Sequence, residues 1–196
     1  MNHLGRTVLL ASVLAVVAAC GGANNPQTSP TTAGPTPTAV ATPGDGPAAT
    51  SPATWSSQPV TVTHNVPVAP VPVLLRVRSA THSPDGYDRI VFDYSGPLPG
   101  YEVRYVPKVI GDASGQEIAM PGRRYLQVIF RPAQAHTDTA STVSGRTDLN
   151  YPMLKGYVVA GDFEAVLTIA FGLDDTVGFH VGELTDPNRI YLDVAA

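Results

Sequence analysis

The side chains from which a reactive site would be built are five histidines, one cysteine and sixteen acids. Zinc needs three or four close ligands, and neither a His-x-x-x-His pair nor a cysteine pair occurs. His3 and His64 fall in segments without a core pattern, while His82 and His180 flank or enter extended stretches. His136 and Asp138 lie two apart in a polar stretch and read as solvated loop residues, so no metal is expected. No serine sits in a Gly-x-Ser-x-Gly elbow, and a Ser/His/Asp triad assembled from distant residues is available in any chain of this size. Asp174-Asp175 reads as a turn, and no glycine-rich strand-to-helix loop is present to cradle phosphate. The expectation is a non-catalytic protein without a cofactor. Binding chemistry is better served. Arg76 and Arg78 alternate with apolar neighbours and share a strand face, and Arg123-Arg124-Tyr125 sets charge beside an aromatic ring. Guanidinium forks pair with carboxylates and aromatic faces cover sugar rings; the same residues also suit an ordinary charged strand surface. Arg89 and Asp93 read as cross-strand partners rather than ligand contacts.

The cysteine is a separate matter. Cys20 is the only one, so it forms no internal disulfide. Met1–Arg6 is polar with one positive charge, and the thirteen residues Thr7–Ala19 are apolar or small. That is the layout of a secretory signal, and it is shorter than the roughly 20 residues a membrane-spanning helix needs. Val17-Ala18-Ala19-Cys20 resembles a bacterial lipobox, in which the cysteine is lipidated and becomes the mature N-terminus. The expected anchor is the Cys20 lipid, each buried methylene contributing about 0.8 kcal/mol. The expected location is the extracytoplasmic side of the cell membrane.

Composition divides the remainder. From residue 20 to residue 72 the chain is rich in Pro, Thr, Ala, Ser and Gly, holds eleven of the nineteen prolines, and has Asp45 as its one charge. Such a segment buries too little apolar surface to offset its ordering entropy and reads as a disordered tether. Extended at about 3.1 Å per residue, 50 such residues reach on the order of 150 Å. Residues 73–196 carry eleven bases against fifteen acids, a net charge of −4, with the signs interspersed. That is enough chain for one domain, and the absence of a basic stripe argues against nucleic acid.

The elements that would position these groups are strands. Val73, Leu75 and Val77 alternate with Arg76 and Arg78; Ile90, Phe92 and Tyr94 alternate with Val91 and Asp93. Tyr101, Val103 and Tyr105 repeat the pattern, as do Leu126, Val128 and Phe130. The longest alternation runs from Phe163 to Phe171, and two more strands are expected over 176–181 and 189–194. Residues 107–122 read as loop plus one short strand. Ala133–Tyr151 reads as a long polar loop, a place where binding is often carried. No sustained 3.6-residue period appears, so the expected fold is all-β, a small β-sandwich.

Tyr87–Pro97 (YDRIVFDYSGP), Gly161–Leu173 (GDFEAVLTIAFGL) and Pro187–Val194 (PNRIYLDV) resemble the AMIN-like domain of bacterial, especially actinobacterial, lipoproteins. The resemblance implies two small packed β-sheets and a role in holding peptidoglycan or another wall polymer. Its alternative implication is a module that docks a wall enzyme or secretion component through a sheet edge or loop. The resemblance extends to AMIN domains that precede the zinc catalytic domain of an amidase, and no such catalytic domain is expected within residues 73–196.

Overall fold

The computed structural model describes residues 54–67 and 69–196, all within a unit spanning Ala49–Ala196. The expected signal segment, Cys20 and most of the expected tether lie outside the described residues. The described chain forms ten strands and one 3-10 turn, Ser83–Asp85. The strands are β1 (Val60–Val62), β2 (Val73–His82), β3 (Tyr87–Ser95), β4 (Gly100–Val106) and β5 (Arg124–Arg131), followed by β6 (Arg146–Asp148), β7 (Leu154–Phe163), β8 (Val166–Leu173), β9 (Phe179–Leu184) and β10 (Arg189–Ala195). Two antiparallel sheets result, β1-β4-β5-β8-β7-β6 and β2-β3-β10-β9. Among the described residues no helix is long and apolar enough to cross a membrane.

The sheets share one core because period-2 side chains from both point inward. Ile90, Phe92 and Tyr94 of β3, with Ile190, Leu192 and Val194 of β10, meet Val103, Leu126, Val128, Phe130, Ile169 and Phe171 of the large sheet. Phe92 is the hinge of this packing, edge-on to Phe130 at 4.9 Å and to Phe171 at 6.0 Å between ring centroids. Such edge-to-face pairs add about 0.5–1.5 kcal/mol beyond area burial.

Several sequence expectations need correction. Residues 54–67 belong to the fold and not to the tether. Val60 and Val62 pack on the core, Thr61 points out, and β1 pairs with β4. Pro-rich flanks hide this Val-Thr-Val-Thr alternation. In β2, a bulge between Leu74 and Arg76 changes the phase. Leu74 is therefore fully buried and Leu75, expected inside, is exposed. The long alternation is two strands: Phe163 ends β7, Glu164 and Ala165 turn with φ of 49° and 58°, and β8 begins at Val166. Neither residue announces a left-handed turn, which Gly or Asn usually supplies. The short strand expected in 107–122 is a single bridge, Ile110 to Glu117.

Two connections do more than join strands. The 107–122 segment lies on the outer face of the large sheet, where Val109, Ile118 and Met120 pack with Val158, Ala160 and Ala170. Gly172 makes room for it: a Cβ there would lie 1.8 Å from the Pro121 carbonyl oxygen. With both faces covered, β7 is apolar on both sides, and a simple alternation does not reveal it. The 133–151 segment, expected as a polar loop, contains β6 and buries Ala133 and Ala135 completely. It runs along the free edge of β2. Leu74 N–H donates to the Gln134 carbonyl at 2.8 Å, Gln134 N–H donates to the Pro72 carbonyl at 3.1 Å, and Tyr151 donates to the Ser79 carbonyl at 3.2 Å. An edge strand left bare would invite pairing with other chains.

Candidate functional site

Strand register assembles a polar, aromatic surface on the outer face of the small sheet. Arg76, Asp93 and Arg189 lie opposite one another across β2, β3 and β10. In the next row Arg78, Val91 and Tyr191 are followed on β9 by Gly182. Ala80, Arg89, Asp193 and His180 form the third, and His82, Tyr87 and Ala195 the fourth. The alternation that buries Ile90 and Phe92 must place Tyr87, Arg89 and Asp93 outside.

The acids are shielded by the arginines. Asp93 is 5% exposed; Arg78 grips both its oxygens at 2.9 and 3.0 Å, and Arg76 donates to Oδ2. Burial alone would raise the Asp93 carboxyl, but hydrogen bonds from Arg78 and Arg76 outweigh it and hold it below the usual range. The stability this gives is present above the unfolded carboxylate pKa of about 3.9 and is lost as pH falls through the lower folded value. Consequently, the difference in thermal midpoint between the native chain and an Asp93→Asn variant is expected to shrink as pH falls from about 4 toward 2. A constant difference across that range would contradict the pairing.

Beside it, Arg89 donates from Nε and Nη2 to the two oxygens of Asp193 at 2.6 and 2.8 Å. The guanidinium lies 4.6 Å from the ring centre of Tyr191 and 5.2 Å from that of Tyr87, within cation–π range. Hydrogen bonding to Asp193 holds Arg89 further above its usual range. Burial pushes the Tyr191 phenol up; Asp193 adds to this and Arg89 opposes it. Tyr191 lies flat because Gly182 has no side chain: a Cβ there would lie 2.2 Å from the phenol ring and oxygen. At the far end His82 stacks on Tyr87 at 4.6 Å and 17°, and Trp55 approaches Tyr87 at 6.3 Å. Trp55 is held there by the Ser56–Phe179 bridge and by the missing side chain of Gly178, where a Cβ would be 2.8 Å from that of Trp55.

The expected binding residues divide accordingly. Arg76 and Arg78 meet at Asp93. Arg123, Arg124 and Tyr125 lie at the start of β5 in the other sheet. Arg123 donates to the Asp174 carbonyl at 2.8 Å, Arg124 donates to the Arg123 carbonyl at 3.1 Å, and Tyr125 packs beside the Val109 cluster. Cross-strand pairing of Arg89 and Asp93 is observed, with Asp193 and the two β2 arginines as partners. Sequence reading missed Tyr87, Tyr191, His82 and His180 as neighbours; alternation placed some of them outward, but only register brings them together.

His136, expected as a solvated loop residue, is instead paired. His136 Nδ1 lies 2.6 Å from Asp162 Oδ2, which also accepts the Ala135 N–H at 3.1 Å, so the pair clips the 133–151 segment to the end of β7. Among the described residues no three His, Cys, Asp or Glu side chains are grouped to hold a metal.

Residues 72–196 match the AMIN-like domain. No curated protein and no solved structure matches the chain. The match covers the whole of both sheets except β1, and includes every strand of the Arg–Tyr face. The chain therefore belongs to the AMIN-like domain family.

Proposed function

We propose that this is a lipid-anchored protein of the cell envelope whose small-sheet outer face holds peptidoglycan or another wall polymer. AMIN-like domains are generally non-catalytic binding modules of the cell wall, and the observation that carries the finer reading is the face itself. It sets exposed Arg76, with a side chain 67% accessible, at one end and the Trp55–Tyr87–His82 aromatics at the other. Four residue steps of β2 beyond Arg76 reach Ala80 and six reach His82, about 20 Å at 3.3 Å per residue. An extended polymer with acidic groups and sugar rings would meet cations and ring faces along that line. Lipid on Cys20 fixes one end of the chain, residues 21–53 act as the tether, and the domain reaches outward to the wall. Nucleic acid is not a partner in this reading, because the chain carries net charge −4.

The test of the binding reading is co-sedimentation with purified insoluble peptidoglycan: the chain is expected in the pellet, and retention in the supernatant would overturn it. The anchor has its own test. Cys20→Ala is expected to abolish incorporation of labelled fatty acid, and continued labelling would overturn the lipid assignment. A second reading, docking of an envelope protein, draws on Phe163, 70% exposed at the β7–β8 turn. Co-purification of one membrane protein, lost in Phe163→Ser, together with failure to sediment would favour it.

A further inference from the structure

The large sheet carries a recess on its outer face, on the opposite side of the sandwich from the Arg–Tyr face. It is a groove of about 240 Å³ walled by Thr61 and Thr63, Glu102 and Arg131, with Ile129 in its floor. It exists because residue 100 has no side chain. In register Gly100 faces Arg131, and Glu102 faces Thr61 and Ile129. A Cβ on Gly100 would lie 3.0 Å from the Val62 carbonyl, 3.3 Å from the His64 nitrogen and 3.1 Å from the Arg131 carbonyl. Thr63, between Val62 and His64, thus stands across an empty central strand position from Arg131. Two strand spacings, about 10 Å, separate those flanking strands.

Its chemistry is specific. Ile129 is 6% exposed and offers an apolar floor. The two threonines supply hydroxyls that donate and accept. Glu102 already pairs with Arg104 at 3.1 Å, and Arg131 lies at 4.0 Å from its other oxygen, so two cations face one acid. The volume is below the roughly 300–1,000 Å³ of a drug-sized pocket. We infer that this groove is a binding site for one hydroxylated ring that bears a carboxylate, an acidic monosaccharide unit. The ring rests on Ile129, its hydroxyls meet Thr61, Thr63 and Glu102, and its acid meets Arg131. Thr61 and Thr63 precede the family match at residue 72, so one wall of the groove comes from outside the matched segment while Gly100, Glu102, Ile129 and Arg131 lie within it.

The experiment is an NMR titration of the isotope-labelled full-length chain with glucuronate, with glucose and acetate as matched probes. Glucuronate is expected to shift the amides of Thr61, Thr63 and Glu102 saturably; glucose and acetate each bind at least about fivefold more weakly, the effect of one lost polar contact. Thr63→Val and Arg131→Gln, both at exposed positions, are each expected to weaken glucuronate about fivefold while the remaining amide signals stay in place. Equal binding of glucose and glucuronate, shifts confined to other residues, or unchanged affinity in both variants would overturn the assignment. A Trp55→Ser/Arg76→Ser variant, altered on the other face, retains glucuronate binding, so this site and the wall-binding face fail separately.

Discussion

Replacing Asp88 with alanine is expected to cost about 3 kcal/mol and lower the thermal midpoint by roughly 10 °C. Asp88 is fully buried on the core side of β3, a position where alternation calls for an apolar residue. Its Oδ2 accepts the N–H of Met153 at 2.8 Å and of Leu154 at 3.0 Å. The carboxylate therefore ties a small-sheet strand to the start of β7 in the large sheet. Alanine would leave the buried Leu154 N–H without a partner, at about 1–3 kcal/mol, and also strip the half-buried Met153 N–H of its acceptor. Asparagine restores only part of this, because its amide would place a donor where Asp88 Oδ1 is buried without a hydrogen-bond partner. Denaturant unfolding reads the loss directly. Asp148→Ala, with an exposed side chain on β6, should stay within about 0.5 kcal/mol. Equal stability of the two variants would mean that Asp88 does not brace the sheets.

The second large effect concerns Arg89 and Asp193. Each single alanine variant is expected to lose about 2–3 kcal/mol, and the double variant clearly less than the sum, with a coupling energy of about 1.5 kcal/mol or more. Asp193 is 4% exposed and Arg89 is half-buried between two tyrosine rings, so removing one partner leaves a shielded charge without its counterpart. The paired geometry is bidentate, the strong form of this contact. A double-mutant cycle by chemical unfolding measures it. Additive losses would show that the two residues act independently, and the face would lose its rigid centre.

Much of the sandwich can be read in the chain because β3, β4, β5 and β10 each have one face inward and one outward, so their apolar residues alternate. Where both sides are covered the signal fades. β7 has Tyr157 and Val159 on the main core, and Val158 and Ala160 beneath the 107–122 segment. Its apolar run merges with that of β8 through a turn made by Glu164 and Ala165. The bulge at Leu75 and the strand at Val60–Val62 fail for related reasons: one shifts the phase of a good pattern, the other sits in prolines. Arg76 and Arg78 are recognisable as outward charges from alternation alone. Their grip on Asp93, and the meeting of Arg89 with Tyr191 from a strand 102 residues later, depend on pairing that no local pattern encodes. The buried Asp88 is legible in hindsight as the one acid on an otherwise apolar face of β3.

In the function proposed above, the outer face of the small sheet holds the wall polymer. The direct measurement is co-sedimentation with insoluble peptidoglycan for the native chain, a Trp55→Ser/Arg76→Ser variant and an Arg146→Ser control on β6. Trp55 and Arg76 are exposed, and Arg78 remains on Asp93 in the double variant, so its thermal midpoint should change little. The expected result is tight sedimentation of the native chain and the control, with binding at least about tenfold weaker for the double variant. Undiminished sedimentation of a folded double variant, or a native chain that stays in the supernatant, would contradict the claim.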